Sequence, residues 1–525
     1  MRSSQITILL LATFVAGICS SQAQQTPSAA QKASRQAGEK YEIYLSDGVS
    51  MLHGHRFDEA LAKFDEALKI KPKSAHALSL KARALRHLNR TDEALDTIKK
   101  AMKFEPKSVQ PYLSLASFSL RDKNLAKAKD YLVQAEKVEP HNYEVAGLMA
   151  TCLVLEKNYK GALVYANEAV KKHPDAHRLA QRAAVYRMLG DRSNELSDYD
   201  KAVSLDPKNP AFATERATTL YQTGKIQQGM TEVNRALSLD DKFAPAYYIR
   251  ANINWVLKQA SLALADLNKA LAMEENGGWY HFRGAIYEVK REYRAALNDQ
   301  LKADKLSPDQ AYIKASISRL YHRLLEPKLA LAYITAAIKL DPKNSEYYDE
   351  RSQIYRTMME YDLALADDTR SIECSKKPPI NALINRIRYY RATKKFDLAL
   401  KDQNRIISYF PRRAGLKEAR AQIYYERGEY THNKEDYMRA REDFDKVLAV
   451  YPNDVNLGMS ARVNLRLGNL TKALSDINQA IVKQPGMSSY YQVRADIHKA
   501  MGKPEDARKD LAAAKAADDA ALPPH

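Results

Sequence analysis

Apolar residues recur along most of this chain at intervals of three and four, which is the spacing of one face of an α-helix. The segment 176–207 carries two such stripes, and Gly190-Asp191 separates them. The first stripe is formed by Leu179, Ala183 and Tyr186, and the second by Leu196, Tyr199, Ala202 and Val203. We therefore predict two amphipathic helices joined by a tight turn.

Proline interrupts this pattern at an almost constant interval. Pro72, Pro106, Pro140 and Pro174 are 34 residues apart, and further prolines follow in phase at 207, 308, 342, 411, 452 and 485. Because proline lacks a backbone N–H and cannot continue a helix, each of these positions predicts a helix end. A helix pair of about 34 residues is therefore predicted to repeat about 14 times between residues 39 and 519.

Small residues recur where the two helices of a pair must approach closely. In most repeats a second alanine follows the first by seven residues, as in Ala60 and Ala67, so both lie on one helix face. With the aromatic positions and the final proline, this pattern resembles the tetratricopeptide repeat. The best matches are Tyr44, Gly48, Ala60, Phe64, Ala67 and Pro72 in repeat 1, and Tyr280, Gly284, Tyr287, Tyr293, Ala296, Ala303 and Pro308 in repeat 8.

The resemblance implies an all-α fold, a right-handed α-solenoid of about 14 helix hairpins that binds a protein or peptide in its concave groove. Each repeat contacts only its neighbours in such an array, so we expect it to grow lengthwise. Two irregularities suggest hinges. One is the break at 376–380, which contains Pro378 and Pro379, and the other is a seven-residue insertion around 429–436. Insertions of this kind are more often tolerated loops.

The N-terminal residues predict export. Arg2 precedes a mostly apolar run from Ile6 to Ile18, and Ser21-Gln22-Ala23 fits a signal-peptidase site, so residues 1–23 are predicted to be a signal peptide. Residues 24–38 would then be a flexible polar linker and 520–525 a tail. The protein is expected to be periplasmic or secreted. A lipid anchor on Cys19 is disfavoured because Ile18 stands where a small residue is needed, and no other apolar run reaches membrane-spanning length.

A charge pair recurs inside the repeats. An arginine on the predicted first helix is followed 16 residues later by an acid on the second. In most other repeats both positions change together, and two repeats are unmatched, Lys81 with Thr97 and Ser460 with Asp476. The pairs are Arg182 with Asp198, Arg216 with Glu232, Arg250 with Asp266, Arg283 with Asp299, Arg351 with Asp367, Arg386 with Asp402 and Arg494 with Asp510. We predict structural ion pairs within each repeat. The alternative is that the arginines form a ligand-binding ladder.

The net charge of +18 favours an acidic partner. The inner face of the first helices carries the candidate binding residues, namely Arg83, Arg86 and His87 in repeat 2, Tyr248 and Trp255 in repeat 7, Arg319, His322 and Arg323 in repeat 9, Arg388 and Arg391 in repeat 11, and Arg462 and Arg466 in repeat 13. A solvated helix face is the alternative interpretation of the same residues.

No catalytic or metal-binding motif is recognised in the sequence, and the repeats leave little chain for another domain. We therefore expect no enzymatic activity, no cofactor and no metal site. The predicted function is a non-enzymatic scaffold that binds a protein or peptide outside the cytoplasm. Two alternatives stay open, a basic nucleic-acid-binding surface and a structural spacer in the cell envelope. The predicted signal argues against nucleic acid, and the sequence does not indicate an oligomeric state.

Overall fold

The computed structural model describes residues 29–53, 56–377 and 379–521. Within these ranges the chain forms 28 α-helices and no β-strand. Consecutive helices pair into hairpins, in which each odd-numbered helix packs against the helix that follows it. The 14 hairpins keep the numbers of the predicted repeats, and the all-α solenoid of helix hairpins predicted from the sequence is confirmed.

Two compact units divide the chain, one up to Asp266 and one from Leu267. The first seven hairpins are α1 (Ala29–His53) with α2 (Phe57–Ile70), α3 (Ala75–His87) with α4 (Thr91–Phe104), α5 (Gln110–Arg121) with α6 (Leu125–Val138), α7 (Tyr143–Leu155) with α8 (Tyr159–Lys172), α9 (Ala176–Leu189) with α10 (Arg192–Leu205), α11 (Pro210–Gln222) with α12 (Ile226–Leu239), and α13 (Ala244–Val256) with α14 (Ala260–Met273). The boundary between the N-terminal and C-terminal units falls within α14.

The remaining seven hairpins belong to the C-terminal unit. They are α15 (Gly277–Val289) with α16 (Tyr293–Leu306), α17 (Ala311–Arg323) with α18 (Pro327–Leu340), α19 (Ser345–Thr357) with α20 (Tyr361–Cys374), α21 (Ile380–Ala392) with α22 (Phe396–Tyr409), α23 (Ala414–Thr431) with α24 (Lys434–Leu448), α25 (Asp454–Leu467) with α26 (Leu470–Lys483), and α27 (Ser488–Ala500) with α28 (Pro504–Ala521).

Local sequence signals set where these helices begin and end. At the start of α7 the side chain of Asn142 accepts hydrogen bonds from the backbone N–H groups of Glu144 and Val145, which have no partner within the helix. At the end of α9, Gly190 adopts a left-handed φ of 78°, which costs glycine nothing and stops the helix. The turn predicted at Gly190-Asp191 therefore lies where the sequence indicated.

The core of each hairpin lies between its two helices. In hairpin 1, Ala60, Phe64 and Ala67 are fully buried. Gly48 makes room for the aromatic ring, since a Cβ at this position would lie 2.5 Å from a ring carbon of Phe64. Truncation of a buried Phe to Ala costs about 3–5 kcal/mol, so this residue is one of the main anchors of the first hairpin.

Three predicted boundaries differ from the structure. Helix α1 begins at Ala29, so part of the segment predicted as a polar linker, 24–38, is helical. Most of the insertion at 429–436 is helical, because α23 continues to Thr431 and α24 begins at Lys434, so only 432–433 lie outside helices and the hinge at this position stays a prediction. The seven extra residues therefore lengthen the helices of hairpin 12. Helix α28 runs to Ala521, so the predicted tail is helical at 520–521.

Several predictions fall outside the described residues. These are the signal peptide at 1–23, Cys19 and the remainder of the tail. Near the predicted hinge at 376–380, α20 ends at Cys374 and α21 begins at Ile380, while Pro378 is not described. The hinge at this position stays a prediction. None of the helices in the described part of the chain combines the length and apolar character that crossing a membrane requires.

Candidate functional site

The predicted charge pairs join the two helices of their own hairpins. Arg283 donates from Nε to Asp299 Oδ2 and from Nη2 to Asp299 Oδ1, both at 2.7 Å. The same two-pronged contact links Arg182 to Asp198 at 2.7 and 2.8 Å, and Arg386 to Asp402 at 2.7 and 2.6 Å. The Asp299 side chain is only 6% exposed, and its hydrogen bonds raise the pKa of Arg283. Both charges are therefore engaged within the protein.

Each of these arginines also contacts the preceding hairpin, and the sequence analysis missed this third contact. The Nη1 atom of Arg283 donates to Asn268 Oδ1 at 2.6 Å, and that of Arg420 donates to Asn404 Oδ1 at 2.7 Å. The same contact joins Arg182 to Asn167, Arg250 to Asn234 and Arg494 to Asn478. The sequence does contain a signal for this contact, because an asparagine stands 15 or 16 residues before each of these five arginines. The guanidinium therefore connects neighbouring hairpins as well as the helices within one.

In other repeats, different residue pairs form the contact between the two helices. Lys63 donates to Asp47 Oδ2 at 2.8 Å, which reverses the order of the charges. In hairpin 6, Arg216 Nε lies 2.7 Å from Asp200 of the preceding hairpin, whereas its predicted partner Glu232 lies 3.4 Å from Nη1. Arg216 therefore lies near both carboxylates, and the shorter distance is to the preceding hairpin.

Several predicted groove arginines form ion pairs between neighbouring first helices. Arg86 bonds Asp122, Arg391 Nε donates to Glu426 at 2.9 Å, and Arg466 Nε donates to Glu429 at 2.6 Å. His87 Nδ1 lies 3.3 Å from Arg121 Nη1, and its ring stacks on Phe57. The three arginines are already paired with carboxylates, so they do not form the separate basic patches predicted from the sequence.

The predicted basic patch of hairpin 9 is mixed in charge. Arg319 lies between two carboxylates, 3.8 Å from Glu288 and 3.6 Å from Glu350. Burial raises the pKa of Glu350 to about 6, despite the nearby guanidinium. His322 Nε2 lies 2.8 Å from Thr357 Oγ1, and Arg323 is exposed. The acids come from the first helices on either side, which a search within one repeat does not reveal.

The other predicted groove residues differ in their surroundings. Tyr248 and Trp255 are half-buried on α13, where Asn252 donates back to the Tyr248 carbonyl at 2.8 Å. Arg462 is half-buried on α25, whereas Arg388 is exposed on α21. The structure therefore does not gather the predicted cations of the C-terminal unit into one basic groove.

A groove of the N-terminal unit, with a volume of about 590 Å³, is lined by the first helices of hairpins 1 to 5. Four polar residues stand at equivalent positions of successive first helices, 34 residues apart: His76, Gln110, Glu144 and Arg178. The repeat spacing could have identified this row from the sequence, which instead directed attention to arginines alone. Of the predicted groove residues, Arg83 lines this groove.

Most polar groups in the groove are already paired. Glu144 accepts a hydrogen bond from Gln110 Nε2 at 3.2 Å and lies 3.9 Å from Arg178 Nη2, while Arg178 Nη1 donates to Asp175 at 3.1 Å. Gln181 Nε2 donates to the Gly147 carbonyl at 3.3 Å. The groove floor is therefore a connected network of side chains.

Arg83 is a charged residue of the groove that does not take part in this network. Its side chain is half-buried, and no carboxylate lies within ion-pair distance of it among the residues that the structure describes. Burial lowers the pKa of the Arg83 guanidinium, and the more distant Glu144 only partly offsets this effect. A desolvated cation without an anion is unfavourable, so an anionic group entering the groove would gain by meeting it.

No group of three or more His, Cys, Asp or Glu side chains placed to hold a metal ion occurs in the described ranges. The polar residues of the groove are instead mainly hydrogen-bond donors and acceptors distributed along its floor. Such a surface suits recognition of a polar chain, with specificity set by a few well-placed groups.

Comparison with known proteins gives a family match for part of the N-terminal unit. The tetratricopeptide repeat model matches residues 51–117 and 119–184. No curated protein sequence matches this chain.

Three solved structures illustrate the similarity. YrrB, described as a tetratricopeptide-repeat protein with an unusual peptide-binding site, is 20% identical over 34% of this chain and 92% of its own, with a TM-score of 0.31. The human IFIT1 dimer with PPP-AAAA is 16% identical over 72% of this chain and 90% of its own, with a TM-score of 0.44. The Cut9–Hcn1 hetero-tetramer of APC/C is 15% identical over 84% of this chain and 94% of its own, with a TM-score of 0.35.

Proposed function

We propose that this chain, whose residues 51–117 and 119–184 match the tetratricopeptide repeat, is a non-enzymatic scaffold whose N-terminal groove receives an extended segment of a partner protein. The segment carries an Asp or Glu side chain that meets Arg83. The scaffold acts outside the cytoplasm, as the signal peptide predicted at residues 1–23 requires.

The observation that carries this proposal is the unpaired guanidinium of Arg83. Elsewhere in the N-terminal unit, half-buried arginines meet carboxylates, as Arg182 meets Asp198 and Arg187 meets Glu195 at 2.6 Å. Arg83 has no such partner among the described residues, although it lines the groove. A carboxylate supplied by a partner would complete the same contact, and arginine's planar fork matches carboxylate geometry.

An extended segment fits the groove better than a globular surface. Packed helices lie about 8–10 Å apart, and an extended chain advances about 3.3 Å per residue. About every third residue of the segment would therefore face a new hairpin. The row formed by His76, Gln110, Glu144 and Arg178 offers one polar contact per hairpin at this interval.

The proposal can be tested with an array of immobilised peptides, half of them acidic and half with the acids replaced by their amides. We expect acidic peptides to bind, and Arg83→Met to weaken their binding about tenfold, which is about 1.4 kcal/mol. Arg90→Met is the matched control, because Arg90 is an exposed arginine that pairs with Glu93 in the turn after α3. Equal binding by the two variants, with helical spectra unchanged, would remove Arg83 from the site.

A further inference from the structure

A second cavity lies in the C-terminal unit, between hairpins 10 and 11. It has a volume of about 500 Å³, and Tyr361 and Leu365 of α20 line it together with Tyr389 and Ala392 of α21. These walls are largely apolar. A cavity of this size is within the range of pockets that bind ligands or side chains, and it is separate from the groove described above.

Of the charged residues that line this cavity, Asp368 is paired within the described part of the protein and Arg388 is not. Asp368 accepts hydrogen bonds from Ser352 Oγ at 2.5 Å and from Arg356 Nη1 at 3.0 Å, so its charge is matched within the protein. Arg388 also lines the cavity, but it is exposed and forms no ion pair with any residue that the structure describes. The cavity therefore offers an apolar interior and one uncommitted positive charge.

Two exposed apolar side chains lie at the start of α20 and in the turn before it. Tyr361, which lines the cavity, is 55% exposed, and Met359, two residues earlier in the chain and not among the lining residues, is 74% exposed. Met359 holds a left-handed φ of 62°, at a position that Gly190 and Gly224 occupy in two other hairpins and Leu325 in hairpin 9. Neither the conformation nor contact with water favours methionine here, so its side chain is available to extend the apolar surface.

We propose that this cavity is a docking site for a partner-protein segment in which an apolar side chain stands close to an Asp or Glu. The apolar side chain enters between Tyr361 and Tyr389, and the carboxylate meets Arg388. A single cation suits one carboxylate, whereas binding to nucleic acid or to an anionic lipid surface draws on several cations together. The site does not depend on the groove of the N-terminal unit.

The test is selection of linear peptides displayed on phage against the whole chain, followed by measurement of the selected peptides on Ala392→Trp, which fills the cavity. Ala392 is exposed, so the larger ring should be tolerated by the fold. Ala366→Trp, at an exposed position of α20 that does not line the cavity, is the matched control. For charge, Arg388→Glu is compared with Lys401→Glu, an exposed residue of α22.

We expect the selected peptides to share an apolar residue within a few positions of Asp or Glu. Synthetic copies should bind about tenfold more weakly to Ala392→Trp and to Arg388→Glu, and unchanged to both controls and to Arg83→Met. Peptides that bind the wild type and Ala392→Trp equally would overturn the proposal, as would binding that ignores the carboxylate and Arg388. Sedimentation velocity tests whether a second copy of this chain occupies the cavity instead. A dimer that Ala392→Trp abolishes would assign the cavity to a second copy and would also overturn the proposal.

Discussion

Arg283 and Asp299 hold the two helices of hairpin 8 together through two parallel hydrogen bonds of 2.7 Å, and the same arginine reaches Asn268 of the preceding hairpin. One residue thus contributes to the hairpin and to the packing of neighbours. Because a solenoid is stabilised by contacts within repeats and between adjacent repeats, this side chain contributes to both terms.

We expect Arg283→Ile to destabilise hairpin 8, since it leaves the buried carboxylate of Asp299 without its cation. Breaking a buried pair costs about 3–5 kcal/mol. Arg283→Ile with Asp299→Tyr should recover much of this loss, because hairpin 9 has Ile317 and Tyr333 at the equivalent positions. Amide hydrogen exchange across α15 and α16 is the appropriate measurement, since repeat arrays open locally. Additive and mild effects of the two single changes would show that the pair is not coupled.

Asn268→Ala tests the contact between hairpins separately from the contact within one. The hydrogen bond from Arg283 is lost while the Arg283–Asp299 pair remains, so the expected loss is about 1 kcal/mol for this exposed contact. The destabilisation should appear in denaturant unfolding of the whole chain. Asn404→Ala removes the equivalent contact of Arg420 and should behave alike. If neither change alters the unfolding midpoint, the third contact does not contribute to stability.

The sequence predicted contacts inside a repeat far better than contacts between repeats. Arg283 and Asp299 are found by their constant spacing and by their joint replacement in other repeats. Arg86 with Asp122, and Arg319 with Glu288 and Glu350, depend on how one first helix is positioned beside the next, which no single repeat specifies. The predicted basic face was therefore too positive, because the neutralising acids lie in adjacent hairpins.

The insertion in hairpin 12 shows a second limit. The seven extra residues between Gly428 and Ala440 suggest a hinge or a tolerated loop, but most of them are helical and continue α23. Contacts then hold the extension in place, since Glu429 accepts hydrogen bonds from Tyr437 at 2.8 Å and from Arg466 at 2.6 Å. We expect amides at 429–431 to exchange more slowly than those at 375–377, which lie outside helices. The reverse order would restore the predicted hinge.

Glu350 should make the C-terminal unit more stable at mildly acidic pH. Burial raises the pKa of its folded form to about 6 from a usual 4.5, so the folded state binds the proton more tightly than the unfolded state. The unfolding free energy should therefore rise as pH falls from about 7 to 4.5, by up to about 2 kcal/mol. Glu350→Gln should lack this dependence while keeping the rest of the pH profile. Parallel profiles for the two proteins would refute the prediction.

Gly147→Ala separates binding in the N-terminal groove from stability, because the two should change in opposite directions. Gly147 lies inside α7, where alanine is preferred over glycine by about 0.5–1 kcal/mol, so the helix itself should gain stability. The new Cβ would lie 2.9 Å from Gln181 Oε1, so the flexible end of that side chain must move and the hydrogen bond from Gln181 to the Gly147 carbonyl is disturbed. We expect acidic peptides that depend on Arg83 to bind more weakly to a variant that is at least as stable as the wild type.

The measurement is peptide affinity together with the denaturation midpoint of the same preparation. Gly415→Ala is the control, since a Cβ at that position meets nothing within 4 Å and Gly415 lies outside the groove. Weaker binding by Gly147→Ala alone would place the Gln181 network in the recognition surface. If Gly147→Ala binds as the wild type does, the floor of the groove plays no part in recognition, and contact with the partner would be confined to the side of the groove that carries Arg83.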